Sequence, residues 1–498
     1  MRANLFLVVA ACLATPSFAQ QPDTVIPWLR EALNRPPLGE APDEPPASAP
    51  SESDVAVLPL GEVRRDAVGL LGSDATGLPP DAVAGSEPDR LADLLSRPTG
   101  DMPPALQGIV RLLLLAELNV PRAATDPDSV FHARIDALVE VGALDPAQAL
   151  LERAGADTPE TFARLFDVAL MTGYDEEACA TMLDRPDLAP GLPARIYCLS
   201  RSGDWQAAAL ALETGRALQV TSPEEDLLLA RFLDPELFEG EPPPIPPRPM
   251  TPLAFRLLEG MGERPATRDL PLRFAGADLS PTSGWKAQIE AAERLARAGA
   301  ISADSLFALY TERRPSASGG VWERASAVAR LERALASGAD PAGELRDAVA
   351  LMEEADLLDA LAAMIGERVV ASGVSGDTAL RLGLLSPAYE TAAANARTSD
   401  PRLAFAAALA RGEALPPLAG DLPAAIASAF APQAVTDDEL ARMAQSDRIG
   451  EAMLEVATSL SAGSDTPPRD VTRALAFLRS VGMEDRAKRT ALHLLLAG

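Results

Sequence analysis

Three glycines place the strongest constraint on what this chain can fold into. Gly142, Gly173 and Gly203 stand 31 and 30 residues apart. The last opens the clearest pattern, Leu199, Gly203, Trp205, Ala208 and Leu212, and the first repeats it as Leu138, Gly142, Leu144, Ala147 and Leu151. The copy at Gly173 keeps Ala178 but has Asp175 at the bulky position. The spacing has a physical cause. A glycine ends one helix in the left-handed conformation, a bulky residue two positions on covers the helix junction, and a small one three later lets the helices approach. Weaker copies follow at Gly299 with Ile301, Gly383 with Leu385 and Ala388, and Gly482 with Ala487.

This spacing resembles the second half of a tetratricopeptide repeat. No copy has the full family consensus, so the likeness is to a class of helical solenoid. It implies an all-α fold: a right-handed α-solenoid of tetratricopeptide-like helix hairpins, with an irregular N-terminal wrap and a disordered Pro-rich tether. Composition agrees. Hydrophobic residues make up 47% of the chain and aromatics only 4%, so the core is expected from Ala and Leu, which favours close-packed helices over sheets.

Between the repeats lies a cysteine pair. Asp175 and Glu176 begin a helical run ending near Leu183, RPDLAPG breaks it, and Pro193 suits the first turn of the next helix. Cys179 and Cys198 lie at equal distances from that connection, so they stand level on facing helices, as a disulfide requires. Two reduced core cysteines are the other reading. The compartment favours the bridge. Met1 to Ala19 reads as a secretory signal, with Arg2 as its charged start, Leu5 to Ala14 apolar, and Ser17-Phe18-Ala19 before a cut at Gln20. The competing reading is a lipoprotein box, Val9-Ala10-Ala11-Cys12, acylated at Cys12. Either way the expected location is the periplasm.

Seven segments follow. After the signal come a short amphipathic helix (20–35) carrying Trp28, a disordered linker rich in Pro, Ser and acid (36–54), and an irregular wrap (55–103) with a strand-like run at Val55 to Leu60. A first helical repeat domain (104–239), a stiff Pro-rich connector (240–252) and a second helical repeat domain (253–498) complete the chain. Within the last, TERRPSASGG at Thr311 to Gly320 interrupts the helices. Its Arg313 and Arg314, with Trp322 beyond, form the one cationic cluster evident in the sequence, and arginine forks suit carboxylate or phosphate partners. Trp28, Arg313, Arg314 and Trp322 are therefore the candidate partner contacts.

A net charge of −28 repels nucleic acid and anionic membranes. No stretch after the signal is long and apolar enough to span a bilayer. Neither histidine, His132 or His493, lies near a nucleophile elbow, and no Cys or His spacing suits a metal. No phosphate loop is present, and 72 acids guarantee chance carboxylate pairs. The expectation is a non-enzymatic protein with no cofactor or metal, a periplasmic scaffold that binds an envelope protein or peptide. Repeat proteins similar to it assist envelope machines such as the flagellar motor. The alternative is a cell-wall glycan-binding or glycan-processing protein, because the soluble lytic transglycosylases have a similar Ala- and Leu-rich superhelix. Their catalytic Glu-Ser motif is missing from the helical region here, and Glu52-Ser53 falls in the linker.

Overall fold

In the computed structural model, the described residues are 65–97, 102–123, 126, 128–315, 318–434 and 437–497. They are all-helical, with no strand among them. The signal, the lipoprotein box with Cys12, the helix with Trp28, the linker and the Val55 to Leu60 run lie outside these residues.

The helices run α1 (Ser73–Thr76), α2 (Pro88–Leu95), α3 (Pro104–Leu115), α4 (Ser129–Glu140), α5 (Leu144–Ala154), α6 (Pro159–Thr172), α7 (Asp175–Asp184), α8 (Leu192–Arg201), α9 (Trp205–Leu218), α10 (Pro223–Leu233) and α11 (Pro252–Gly260). They continue as α12 (Trp285–Arg297), α13 (Ala303–Glu312), α14 (Val321–Ser337), α15 (Ala342–Glu353), α16 (Leu358–Ser372), α17 (Asp377–Leu385) and α18 (Tyr389–Ala394). The last are α19 (Pro401–Arg411), α20 (Asp421–Ala429), α21 (Asp438–Gln445), α22 (Ile449–Ser459), α23 (Pro468–Ser480) and α24 (Glu484–Leu496).

Local chemistry sets many of the boundaries. Ser222 and Glu225 form a capping box on α10, while Thr158, Thr251, Ser302, Asp400 and Asp437 cap other helices through their side chains. Gly142, Gly173 and Gly203 all have positive φ, as the repeat pattern requires. Gly383 differs. It lies inside α17, where a Cβ would meet Ala392 Cβ at 2.8 Å and Val370 Cγ2 at 2.9 Å. There glycine permits close helix contact instead of ending a helix.

Successive helices pack against their neighbours, and the chain also returns on itself. α3 packs on α22 and α24, and α2 packs on α22. Backbone seals this junction, with Gly450 N donating to Ala82 O at 2.8 Å and Gly85 N to Asp447 O at 3.0 Å. A Cβ on Gly85 would stand 2.2 Å from Ser446 O, so the residue must be small. At the centre is Glu451, whose side chain is fully buried. It accepts Arg90 Nε at 2.8 Å and Arg448 Nε and Nη2 at 2.9 and 2.8 Å, and Arg90 also reaches Glu455.

The segment before α1 is held by a different buried ion. Arg134 on α4 donates to Leu114 O (2.9 Å), Ala116 O (2.9 Å), Val68 O (2.7 Å) and Asp66 O (3.3 Å). Burial pulls its pKa down to about 10, with Asp66 opposing. Asp66 accepts the Phe131 amide at 2.8 Å, yet its second carboxylate oxygen is buried without a partner. Burial raises the Asp66 pKa to about 6, against the Phe131 bond, which lowers it, and with Asp128 adding to the rise.

Two predictions arise from these ions. Glu451→Ala removes three hydrogen bonds between charged groups but leaves arginines that solvent reaches, so we expect a loss of about 2 kcal/mol in urea unfolding. An unchanged urea midpoint would show that the junction does not depend on this ion. Asp66 has a folded pKa above its unfolded value, so its contribution to stability is full below about pH 4 and is lost as pH rises to about 6. Asp66→Asn keeps the acceptor for Phe131. It should abolish a pH-dependent stability loss on the order of 2 kcal/mol across that window, which unfolding at pH 4, 5, 6 and 7 measures.

Candidate functional site

Cys179 and Cys198 are joined in a disulfide with a Cα–Cα distance of 4.9 Å. They bridge α7 and α8 across a connection whose Pro186–Leu188 turn is a short 3-10 helix. Around the bridge, Tyr197 donates to Asp175 at 2.8 Å, and Arg201 pairs with the same carboxylate at 3.1 Å. Burial, then the neighbouring Asp175 charge, raises the Tyr197 pKa, so the phenol stays protonated and serves as a fixed donor. Tyr197 stacks on Phe232 at 5.9 Å, and Phe232 meets Trp205 at 6.2 Å, which ties α8, α9 and α10 together.

Those helices carry an unusual surface. Among the described residues, every broadly exposed large hydrophobic lies between Tyr174 and Ile245. Leu210, Leu218 and Val220 belong to α9 and its end, Leu227 to α10, and Leu237 and Ile245 to the stretch beyond. Leu210 is 70% exposed, Leu237 71% and Ile245 92%. Single exposed leucines need no explanation, but a concentration of them on packed neighbouring elements does. The charges around it are mostly acidic. Asp204, Glu213, Glu224, Glu225, Glu236, Glu239 and Glu241 are exposed, while Arg216 and Arg231 are already paired with carboxylates.

Of the residues expected to contact a partner, Trp28 lies outside the described residues. Arg313 pairs with Glu312 at 2.8 Å, and Arg314 is exposed beside it. Trp322 packs on Trp285 with ring centroids 5.0 Å apart, and Trp285 donates to Leu309 O at 3.1 Å. A denser cationic group than Arg313 and Arg314 forms where Trp322, Arg268, Lys286, Arg294 and Arg297 line one cleft. Its only sequence signal was Arg294 and Arg297, one helical turn apart on α12.

The histidines have structural partners. His132 Nε2 lies 2.9 Å from Thr161 Oγ1, and burial followed by Arg164 lowers its pKa. His493 Nδ1 lies 3.0 Å from Asp359 Oδ1. The hydroxyl beside His132 is that of Thr161, whose Oγ1 also accepts from Thr158 Oγ1 at 2.9 Å. Among the described residues, no group of three His, Cys, Asp or Glu side chains is placed to hold a metal, and no helix is long and apolar enough to cross a membrane.

The sequence separation of 19 across the disulfide gives an expected stabilisation of about 3 kcal/mol in the chain-entropy account. Reduction, or Cys179→Ala with Cys198→Ala, should therefore raise amide exchange across α6 to α9. Exchange at α22 to α24 should stay unchanged, and equal loosening at both places would refute a local role. Compared with protein families, curated proteins and solved structures, the chain has no match.

Proposed function

We propose that this protein is a non-catalytic scaffold of the periplasm, a right-handed α-solenoid of tetratricopeptide-like hairpins that binds another envelope protein through the apolar face of α9, α10 and the segment to Ile245. The observation that carries this reading is the confinement of the broadly exposed large hydrophobics to that stretch. The exposed carboxylates around it specify the partner's chemistry: a segment with an apolar face flanked by Lys or Arg. A buried disulfide in the same region supports an oxidising compartment. Envelope assemblies such as the flagellar motor provide partners of this kind.

Photo-crosslinking side chains placed at Leu218, Leu237 and Ile245 in the native host test it. We expect one envelope protein in the adducts, with yields that fall as salt rises. Replacing Leu210, Leu218, Leu237 and Ile245 together by Ser should abolish capture while moving the melting temperature little, because these side chains are exposed. Self-adducts alone, or turnover of a purified murein digest by the mature chain, would overturn the scaffold reading.

A further inference from the structure

One arginine, Arg297, lines two cavities. The larger, about 680 Å³, is lined by residues of α3, α12, α16 and α24 and includes Arg111 and Arg297. The other, about 530 Å³, is the cleft holding Trp322, Lys286, Arg268 and Arg294, and Arg297 lines it as well. In a chain of net charge −28, this concentration of positive charge needs a cause.

Most charges on these walls are already neutralised. Lys286 pairs with Glu290, Arg268 with Asp269, Arg324 with Glu293, Arg381 with Glu353 and His493 with Asp359. Three guanidiniums form no ion pair among the described residues. For Arg111, burial lowers the pKa with no carboxylate to offset that cost. Arg294 commits its two terminal nitrogens to the carbonyls of Thr267 and Leu270 at 2.8 and 2.7 Å. Burial, then the neighbouring Arg297 charge, lowers its pKa too, with Asp278 and Asp269 opposing. Arg297 donates Nε to Ala355 O at 3.1 Å and keeps its terminal nitrogens uncommitted among the described residues. Against them stands one lining carboxylate without an ion pair among the described residues, Asp356, held at φ +53°.

Basic residues in the last turn of a helix complement its dipole, and that accounts for Arg294 and Arg297 being on α12. It does not account for Arg111, which comes from α3. Gln107 and Arg111 converge on the turn after α12, where a Cβ on Gly299 would lie 3.0 Å from Gln107 Oε1 and 3.3 Å from Arg111 Nη2. A largely buried cation without a counter-ion, as Arg111 is among the described residues, costs stability unless something else compensates, and a bound anion would do so. Planar forks match carboxylate and phosphate oxygens.

We infer that the cavity lined by Arg111 and Arg297 binds a small multivalent organic anion, its carboxylate or phosphate oxygens held by those two guanidiniums. This site is separate from the apolar face of α9 and α10, so either can fail without the other.

The test is calorimetric titration of the mature protein at low ionic strength with citrate, glycerol 3-phosphate and inorganic phosphate. We expect one saturable site for citrate or glycerol 3-phosphate, and the stronger of the two tells a carboxylate from a phosphate ligand. Inorganic phosphate should bind at least tenfold more weakly. Arg297→Ala and Arg111→Ala should each weaken binding at least tenfold, and Arg297→Lys should restore only part of it, because the fork is lost while the charge stays. Arg469→Ala, on an exposed arginine outside both cavities, should change nothing. Arg297 is itself exposed, so its variants should keep the parent's melting temperature. Absence of saturable binding by all three probes, binding unchanged in Arg111→Ala and Arg297→Ala, or equal binding of all three anions would overturn the inference.

Discussion

Closure of the chain on itself at Glu451 is the interaction on which the rest of this architecture depends. In an open solenoid each helix pair touches only its neighbours, and end helices leave one face unpaired. Here α2 and α3 are covered by α22 and α24, so helices near the two ends of the described chain bury each other. A carboxylate removed from water is costly, and it survives at Glu451 because two arginine forks bind it. Burial would push its pKa up, but the bonds and charges of Arg448 and Arg90 outweigh that and hold it below the usual carboxylate range. The arginines keep contact with solvent, so only one of the three charges is fully desolvated. Gly85 and Gly450 let the backbones approach closely enough for that geometry.

Closure also explains where a cavity can exist. Arg111 comes from α3 and Arg297 from α12, and both face the same space because α3 is pinned to α22 and α24 while α12 joins the helices that follow. Without the pin, α3 would be an end helix, and Arg111 would be an ordinary solvated arginine.

How far the sequence revealed this depends on the range of each signal. The hairpin of Cys179 and Cys198 was legible because its determinants are local: a charged helix start, a proline break, a proline-led restart and two cysteines equally far from the break. The glycines at 142, 173 and 203 were legible for the same reason. Gly383 was misread, since a glycine that ends a helix and one that admits a neighbouring helix look alike until Ala392 and Val370 are seen beside it. Partners such as Arg90 and Glu451, 361 residues apart, leave no periodic trace. The pair at Arg313 and Arg314 stood out because the two are adjacent in sequence, whereas the denser cluster of Arg268, Lys286, Arg294 and Arg297 comes together only when α12 packs against its neighbours.

The two candidate surfaces differ in what holds them. The exposed hydrophobics of α9 and α10 sit on helices tied to α8 by the Tyr197, Phe232 and Trp205 contacts, and the disulfide joins α8 to α7. The cationic cavities depend instead on long-range packing at the junction. Loss of the disulfide therefore disturbs the apolar face first, while loss of Glu451 disturbs the position of α3 and Arg111 first. The two candidate surfaces thus depend on separate interactions, a local covalent bond for one and a buried ion with sequence-distant partners for the other.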